Sequence, residues 1–185
     1  MLDKREFQKI GKDLKSFEEK REQVIKFSRE IIQCSKQIIY ALHRDDIQKA
    51  SLVMKTITLK LTKLPKEHYD AGIQNVAIQE YVEASCFYEF LKNKRIPTRS
   101  DLKVDTENYL MGLCDLTGEL MRKAVKEVIN KNVNNASKIK DLVEEIYGEF
   151  LKFDLRNSEL RKKADAIKWN LQKLEDLMYD IVNRK

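Results

Sequence analysis

Between residues 7 and 42, apolar or small side chains return every three or four positions: Phe7, Ile10, Leu14, Phe17, Val24, Ser28, Ile31, Ser35, Ile38 and Leu42, with one slip at Arg21. Steps of three and four draw a stripe along one face of an α-helix, whereas a half-buried strand would alternate every second residue. No proline interrupts the run. The spacing therefore predicts one helix of about forty residues, ~60 Å long at 1.5 Å per residue. That exceeds what a compact chain of 185 residues needs for its own core, so part of the stripe should be covered by other subunits.

The rest of the chain reads the same way. Five glycines and two prolines leave few turn signals, which favours long helices with few connections. A second helix is predicted from about Asp45, with Asp45 or Asp46 as its cap, to Leu64. LPKE then breaks the pattern, and Pro65 starts a third helix running to about Lys92. KNKRIPTRSD, residues 92–101, reads as a basic surface loop able to meet an anion. A fourth helix is expected from Asp105 to Asn130, followed by an asparagine-rich connection, NKNVNNAS. Two more helices, Ser137 to Phe150 and Ser158 to Asn183, complete the chain; the last carries Leu160, Ile167, Leu171, Leu174, Met178 and Ile181 near helical spacing. No strand pattern or internal repeat is present. The expected fold is an all-α bundle of about six or seven helices, a single domain spanning residues 1–185.

Lys and Arg exceed Asp and Glu by 36 − 30 = 6, with a pI near 9.1. A polyanionic partner is one reading of that excess and a plain solvated surface is the other. Cys34, Cys86 and Cys114 are odd in number and lack C-x-x-C spacing, which argues against a disulfide framework or a zinc site and fits a reducing, cytoplasmic setting. The N-terminus MLDKREFQKI is charged where a signal peptide would be apolar, and no apolar run approaches the ~18 residues of a membrane span. P-loop, dinucleotide and G-x-S-x-G patterns are missing. Neither His43 nor His68 completes an E-x-x-H pair of the di-iron type.

Two pairs of acids stand out. In AIQEYVEASCF, residues 77–87, Glu80 and Glu83 share a helical face with Ile73, Val76, Phe87 and Phe90. A carboxylate in an apolar stripe needs compensation, because desolvating its charge costs several kcal/mol. In DLTGELMR, residues 115–122, Asp115 and Glu119 are four apart, share a face with Arg122, and lie opposite the stripe Leu113, Leu116, Leu120 and Ala124. Gly112 and Gly118 flank Asp115, which suggests that another backbone or a ligand comes close. If the third and fourth helices pack together, four carboxylates converge. They would then take up protons or hold a hard cation such as Mg²⁺ or Mn²⁺. The alternative is that Glu80 or Glu83 pairs with Arg122 or with a lysine of another helix.

YLMGLCDLTGELMR, residues 109–122, and QEYVEA, residues 79–84, resemble translin-associated factor X, the catalytic branch of the translin family. KFSREIIQCSKQIIYALHR, residues 26–44, is similar to that family's first long helix, and LRNSELRKKADAIKWNLQKLEDLMYDIVNR at the C-terminal end is similar to translin itself. Nearly the whole chain is covered. The resemblance implies an all-α protein that assembles into hollow, usually octameric shells, binds RNA and single-stranded DNA, and cuts RNA with Mg²⁺, for which Mn²⁺ is a substitute. It places Glu80, Glu83, Asp115 and Glu119 as catalytic metal ligands, and Lys36, Arg122, His43 and Arg44 as RNA-binding residues. Where family members carry His and Arg before E-Y-V-E, this chain has DAGIQN, residues 70–75. A factor X acid set with a translin-like tail suits a single-gene, archaeal-type homologue that assembles with itself.

The expected function is therefore a Mg²⁺-dependent endoribonuclease acting on single-stranded or loosely paired RNA inside a homo-oligomeric shell. Two rivals remain at this point: a non-catalytic translin-like binder of RNA or DNA, and a coiled-coil scaffold unrelated to nucleic acid.

Overall fold

The computed structural model describes residues 2–65, 69, 72–156 and 158–183. Among them are seven helices and no strand: α1 (Lys4–His43), α2 (Ile47–Leu61), α3 (Ile73–Asn93), α4 (Arg99–Leu102), α5 (Thr106–Ile129), α6 (Val133–Phe150) and α7 (Glu159–Asn183). Acidic caps start several of them, satisfying amides that have no partner within the helix. The Asp46 carboxylate accepts from the Lys49 amide at 2.9 Å, and Asp105 accepts from the Asn108 amide at 2.9 Å. The tight corner between α1 and α2 puts Asp45 in the left-handed region at φ 62°, a conformation its short polar side chain tolerates better than most.

α3 lies between α1 and α5, α2 flanks α1, and α6 and α7 close the other side of α5. Phe87, Ile31, Ile38, Leu42, Leu116, Leu120, Ile167 and Leu174 are fully or almost fully buried in one continuous core. Burying each such side chain contributes about 1.5–3 kcal/mol. The α1 stripe is buried from Val24 onward and joins this core at Ile31; Phe7, Ile10 and Leu14 are 56%, 42% and 63% exposed, so the first half of the helix extends beyond the bundle.

Gly112 sets the α3–α5 distance. A Cβ added there would lie 2.6 Å from Val82 Cβ and 2.8 Å from the Gln79 carbonyl oxygen, so only glycine permits this approach. Gly118 is different: its nearest neighbour, Asn170 Nδ2, would be 3.9 Å away. The expectation of a close approach holds at the first glycine and not at the second.

Four sequence expectations change. α3 begins at Ile73 and not at Pro65, whose carbonyl accepts a 2.8 Å hydrogen bond from the Gln74 amide and stays outside the helix; His68 and most of the predicted first turns lie outside the described residues. KNKRIPTRSD contains the short helix α4, closed by a reciprocal Thr98–Asp101 capping box. α6 begins at Val133, because Asn132 and Asn135 donate to the Glu127 carboxylate at 3.1 Å each and tie the first turn of α6 to the end of α5. Val76 is 46% exposed, on the outer edge of α3 and away from the apolar stripe assigned to it.

Candidate functional site

The Gly112 contact brings the two acid pairs into one another's field. Glu80 and Glu83 stand one turn apart on α3, and Asp115 and Glu119 one turn apart on α5. Glu83 is only 9% exposed, and among the described residues neither it nor Glu80 forms an ion pair. Burial pushes the Glu83 carboxyl up to about 8, with Asp115, Glu80 and Glu119 adding repulsion. Glu80 is also raised, by burial first, while the charge of Lys36 opposes the shift. Burial is the main reason, because a desolvated carboxylate resists ionising; repulsion from the neighbouring acids adds to it.

Glu119 goes the other way. The His43 ring donates from Nε2 to its carboxylate, and Arg122 lies 3.6 Å away, so its carboxyl is held below the usual range. Asp115 is engaged from α7, where Lys163 Nζ donates at 2.5 Å and also reaches Gln79 Oε1 at 3.4 Å. The salt bridge expected as the alternative at Glu80 or Glu83 is not formed among the described residues; Arg122 and a lysine of another helix engage Glu119 and Asp115 instead.

The donor chemistry fits a hard divalent cation. All four groups are carboxylates on two rigid helices, and a bound cation would relieve the repulsion that keeps Glu83 protonated. As folded, no three His, Cys, Asp or Glu side chains among the described residues stand at ligand spacing. Asp115 and Glu119 are held by protein cations in this state.

The expected RNA-binding residues divide into two kinds. Lys36 on α1 and Arg122 on α5 are exposed beside the acids, and Arg44 is exposed at the end of α1, its guanidinium 5.7 Å from the Tyr40 ring centre. His43 is 7% exposed, packed at 5.1 Å against the Phe87 ring and bonded to Glu119, so it faces an acid and not the surface. Its position is enforced by α5: Lys126 donates to the His43 carbonyl oxygen, while Lys126 and the buried Lys123 both hold Asp45 at the adjoining corner. Sequence reasoning missed the roles of Lys163 and Gln79. Nothing in their local pattern marks them, since Lys163 lies 48 positions from Asp115.

Cys34, Cys86 and Cys114 are free and buried, and burial pushes the thiols of Cys86 and Cys114 up to about 12. Neither of these two supplies a thiolate near neutral pH.

The Translin family profile matches residues 19–185, which contain every helix that builds the acid cluster. The chain belongs to the translin family. It is 29% identical over 174 residues to the protein MJ0175 of Methanocaldococcus jannaschii, covering 89% of this chain and 78% of that one. It is 27% identical to the translin-associated protein X homolog of Schizosaccharomyces pombe, covering 97% and 88% of the two chains. Among solved structures it resembles apo-NeC3PO, with TM-score 0.79, 31% identity and 97% of each chain covered. It also resembles AfC3PO, with TM-score 0.88, 25% identity and coverage of 97% and 98%. A structure of AfC3PO with duplex RNA superposes equally well, TM-score 0.88 at 24% identity over 97% of this chain and 98% of that one.

Proposed function

We infer that this translin-family chain is a Mg²⁺-dependent endoribonuclease acting on single-stranded or loosely paired RNA. One observation carries the reading: Glu80 and Glu83 of α3 and Asp115 and Glu119 of α5 lie in one another's field, and Glu83 is raised to about 8 by burial first and by the other three acids second, beside the exposed cations Lys36 and Arg122. A purely structural site would pair its acids with protein cations, whereas this one leaves Glu80 and Glu83 without an ion pair among the described residues. The RNA-bound state of AfC3PO supports an RNA partner.

Glu80, Glu83, Asp115 and Glu119 would hold Mg²⁺, with Mn²⁺ as a substitute. Once bound, the ion supplies Lewis acidity toward the phosphodiester and the attacking water. The chain's own groups do the rest. Lys36 and Arg122 neutralise the phosphate backbone and set its position without reading bases. His43 keeps Glu119 ionised and fixes its rotamer. The same surface accepts single-stranded DNA backbone, since the phosphate contacts are shared.

Self-association belongs to this reading. The exposed stripe Phe7, Ile10 and Leu14 supports a closed homo-oligomer, an octamer by the family resemblance, with the acids on an inner surface. A cytoplasmic setting is supported by three free cysteines and agrees with there being no described helix long and apolar enough to cross a membrane.

The test is cleavage of a short linear RNA by purified protein under Mg²⁺ titration, with Glu83→Gln and Asp115→Asn alongside. Cutting that requires Mg²⁺ and is lost in both variants is expected; Mg²⁺-dependent cutting retained by both variants refutes the site. A second reading, RNA binding without catalysis, is favoured by the engagement of Asp115 and Glu119 with Lys163 and His43. It predicts binding with no cutting at any Mg²⁺ concentration.

A further inference from the structure

Three cations follow one another at the start of α7, and they behave differently. Arg161 and Lys162 are exposed and bind acids of their own helix: Asp165 at 3.3 Å and Glu159 at 2.6 Å. Lys163 alone crosses to another helix. Its neighbours on the packed face, Leu160, Ala164 and Ile167, are buried, so the lysine stem lies along the α5–α7 seam and its ammonium reaches Asp115 at 2.5 Å and Gln79 at 3.4 Å. Two turns further on, Asn170 donates to Thr117 Oγ1 at 2.9 Å, which fixes the register of α7 against α5. The ammonium is therefore held from a third helix against one acid of the cluster, Asp115.

We propose that Lys163 is a tethered counter-cation of the acid site, compensating Asp115 when no metal is present and giving way when a divalent ion binds. This rests on the metal reading of the four acids given above. The physical argument is electrostatic competition for one carboxylate. The Lys163 ammonium already offsets the charge of Asp115 through Oδ2, and a dication drawn to the same carboxylate would stand beside that ammonium in a half-dry site, which is repulsive. Lys163 thus lowers the affinity for metal while it stabilises the metal-free fold. It is a positioning residue and does not itself carry out chemistry.

A lysine that is merely a strut predicts that its removal harms both properties. Competition predicts opposite signs. The experiment measures Mn²⁺ binding by calorimetry and melting temperature in chelator for wild type, Lys163→Met and Lys163→Arg. Lys163→Met should melt lower without metal yet bind Mn²⁺ about tenfold more tightly, and Lys163→Arg should stay near wild type. Binding by Lys163→Met no tighter than by wild type overturns the proposal while leaving the acid site standing. If no variant and not even wild type binds Mn²⁺, the acid-site reading fails and the proposal with it. Wild-type protein supplies an independent measurement that needs no mutant to fold. Lysine acylation followed by peptide mass spectrometry should find Lys163 protected in chelator and several-fold more reactive in Mn²⁺. An unchanged labelling rate in protein that demonstrably binds Mn²⁺ overturns the displacement.

Discussion

Glu83→Gln should stabilise the metal-free protein, and the gain should grow with pH. In the folded chain the Glu83 carboxyl is pushed from its reference value of 4.5 to about 8. Between those values the folded state binds a proton that the unfolded state has released, so stability falls as pH rises across that window. Each pH unit costs about 1.4 kcal/mol, which amounts to about 3.4 kcal/mol at pH 7, about 4.4 kcal/mol at pH 8 and about 4.8 kcal/mol well above it. Glutamine keeps the shape and has no proton to lose, so its advantage should be near zero at pH 4.5 and rise from there. At pH 7 the expected gain in melting temperature is roughly 7–14 °C, at 2–4 °C per kcal/mol for a chain of this size. Any packing cost of the new amide displaces the whole difference without changing its slope. The assay is far-ultraviolet circular dichroism melting from pH 4.5 to 9 in chelator, at one fixed protein concentration because assembly contributes to stability. Mg²⁺ should then narrow the gap by stabilising wild type alone. A difference between variant and wild type that stays flat from pH 4.5 to 8 would refute the argument that Glu83 is buried against other acids.

Four other outcomes follow from the packing. Gly112→Ala should destabilise by about 1–3 kcal/mol in urea unfolding, since its Cβ would press on Val82 and the Gln79 carbonyl, whereas Gly118→Ala should stabilise by about 0.5–1 kcal/mol because its Cβ makes only an ordinary contact, 3.9 Å from Asn170 Nδ2. Lys123→Met should cost about 3 kcal/mol, because it leaves Glu127, bonded to Lys123 at 2.8 Å and only 6% exposed, without its cation; an unchanged urea midpoint would show that Asn132 and Asn135 suffice. Leu14→Glu should lower the assembly size seen by light scattering at micromolar protein while leaving helix content intact, since Leu14 is 63% exposed in the single chain; an unaltered oligomer would show that this stretch of α1 lies outside the interfaces.

Much of the architecture is written in local pattern. The three-and-four spacing of Phe7 to Leu42 demands a helix whatever surrounds it, and α1 runs unbroken from Lys4 to His43. Asp46 and Asp105 cap where a short acid precedes an apolar period, because the bond they make is to an amide two or three residues away. The boundaries that moved are those decided by partners distant in sequence or across a turn. Asn132 and Asn135 look like loop residues until Glu127 gives their amides an acceptor, and Pro65 looks like a helix start until the Gln74 side chain takes its carbonyl.

At the site the same division holds. Spacing alone placed Glu80 with Glu83 and Asp115 with Glu119, since each pair is one helical turn apart. The convergence of the two pairs depended on α3 packing against α5, which Gly112 permits but does not announce. What only the tertiary structure decided is how each acid is compensated: Glu119 by His43, Asp115 by Lys163, and Glu83 by keeping a proton that ordinary solvent would remove. Helix periodicity is a property of neighbouring residues and survives in any context. The charge state of a carboxylate is set by burial and by fields from other helices, and those exist only after the chain has folded.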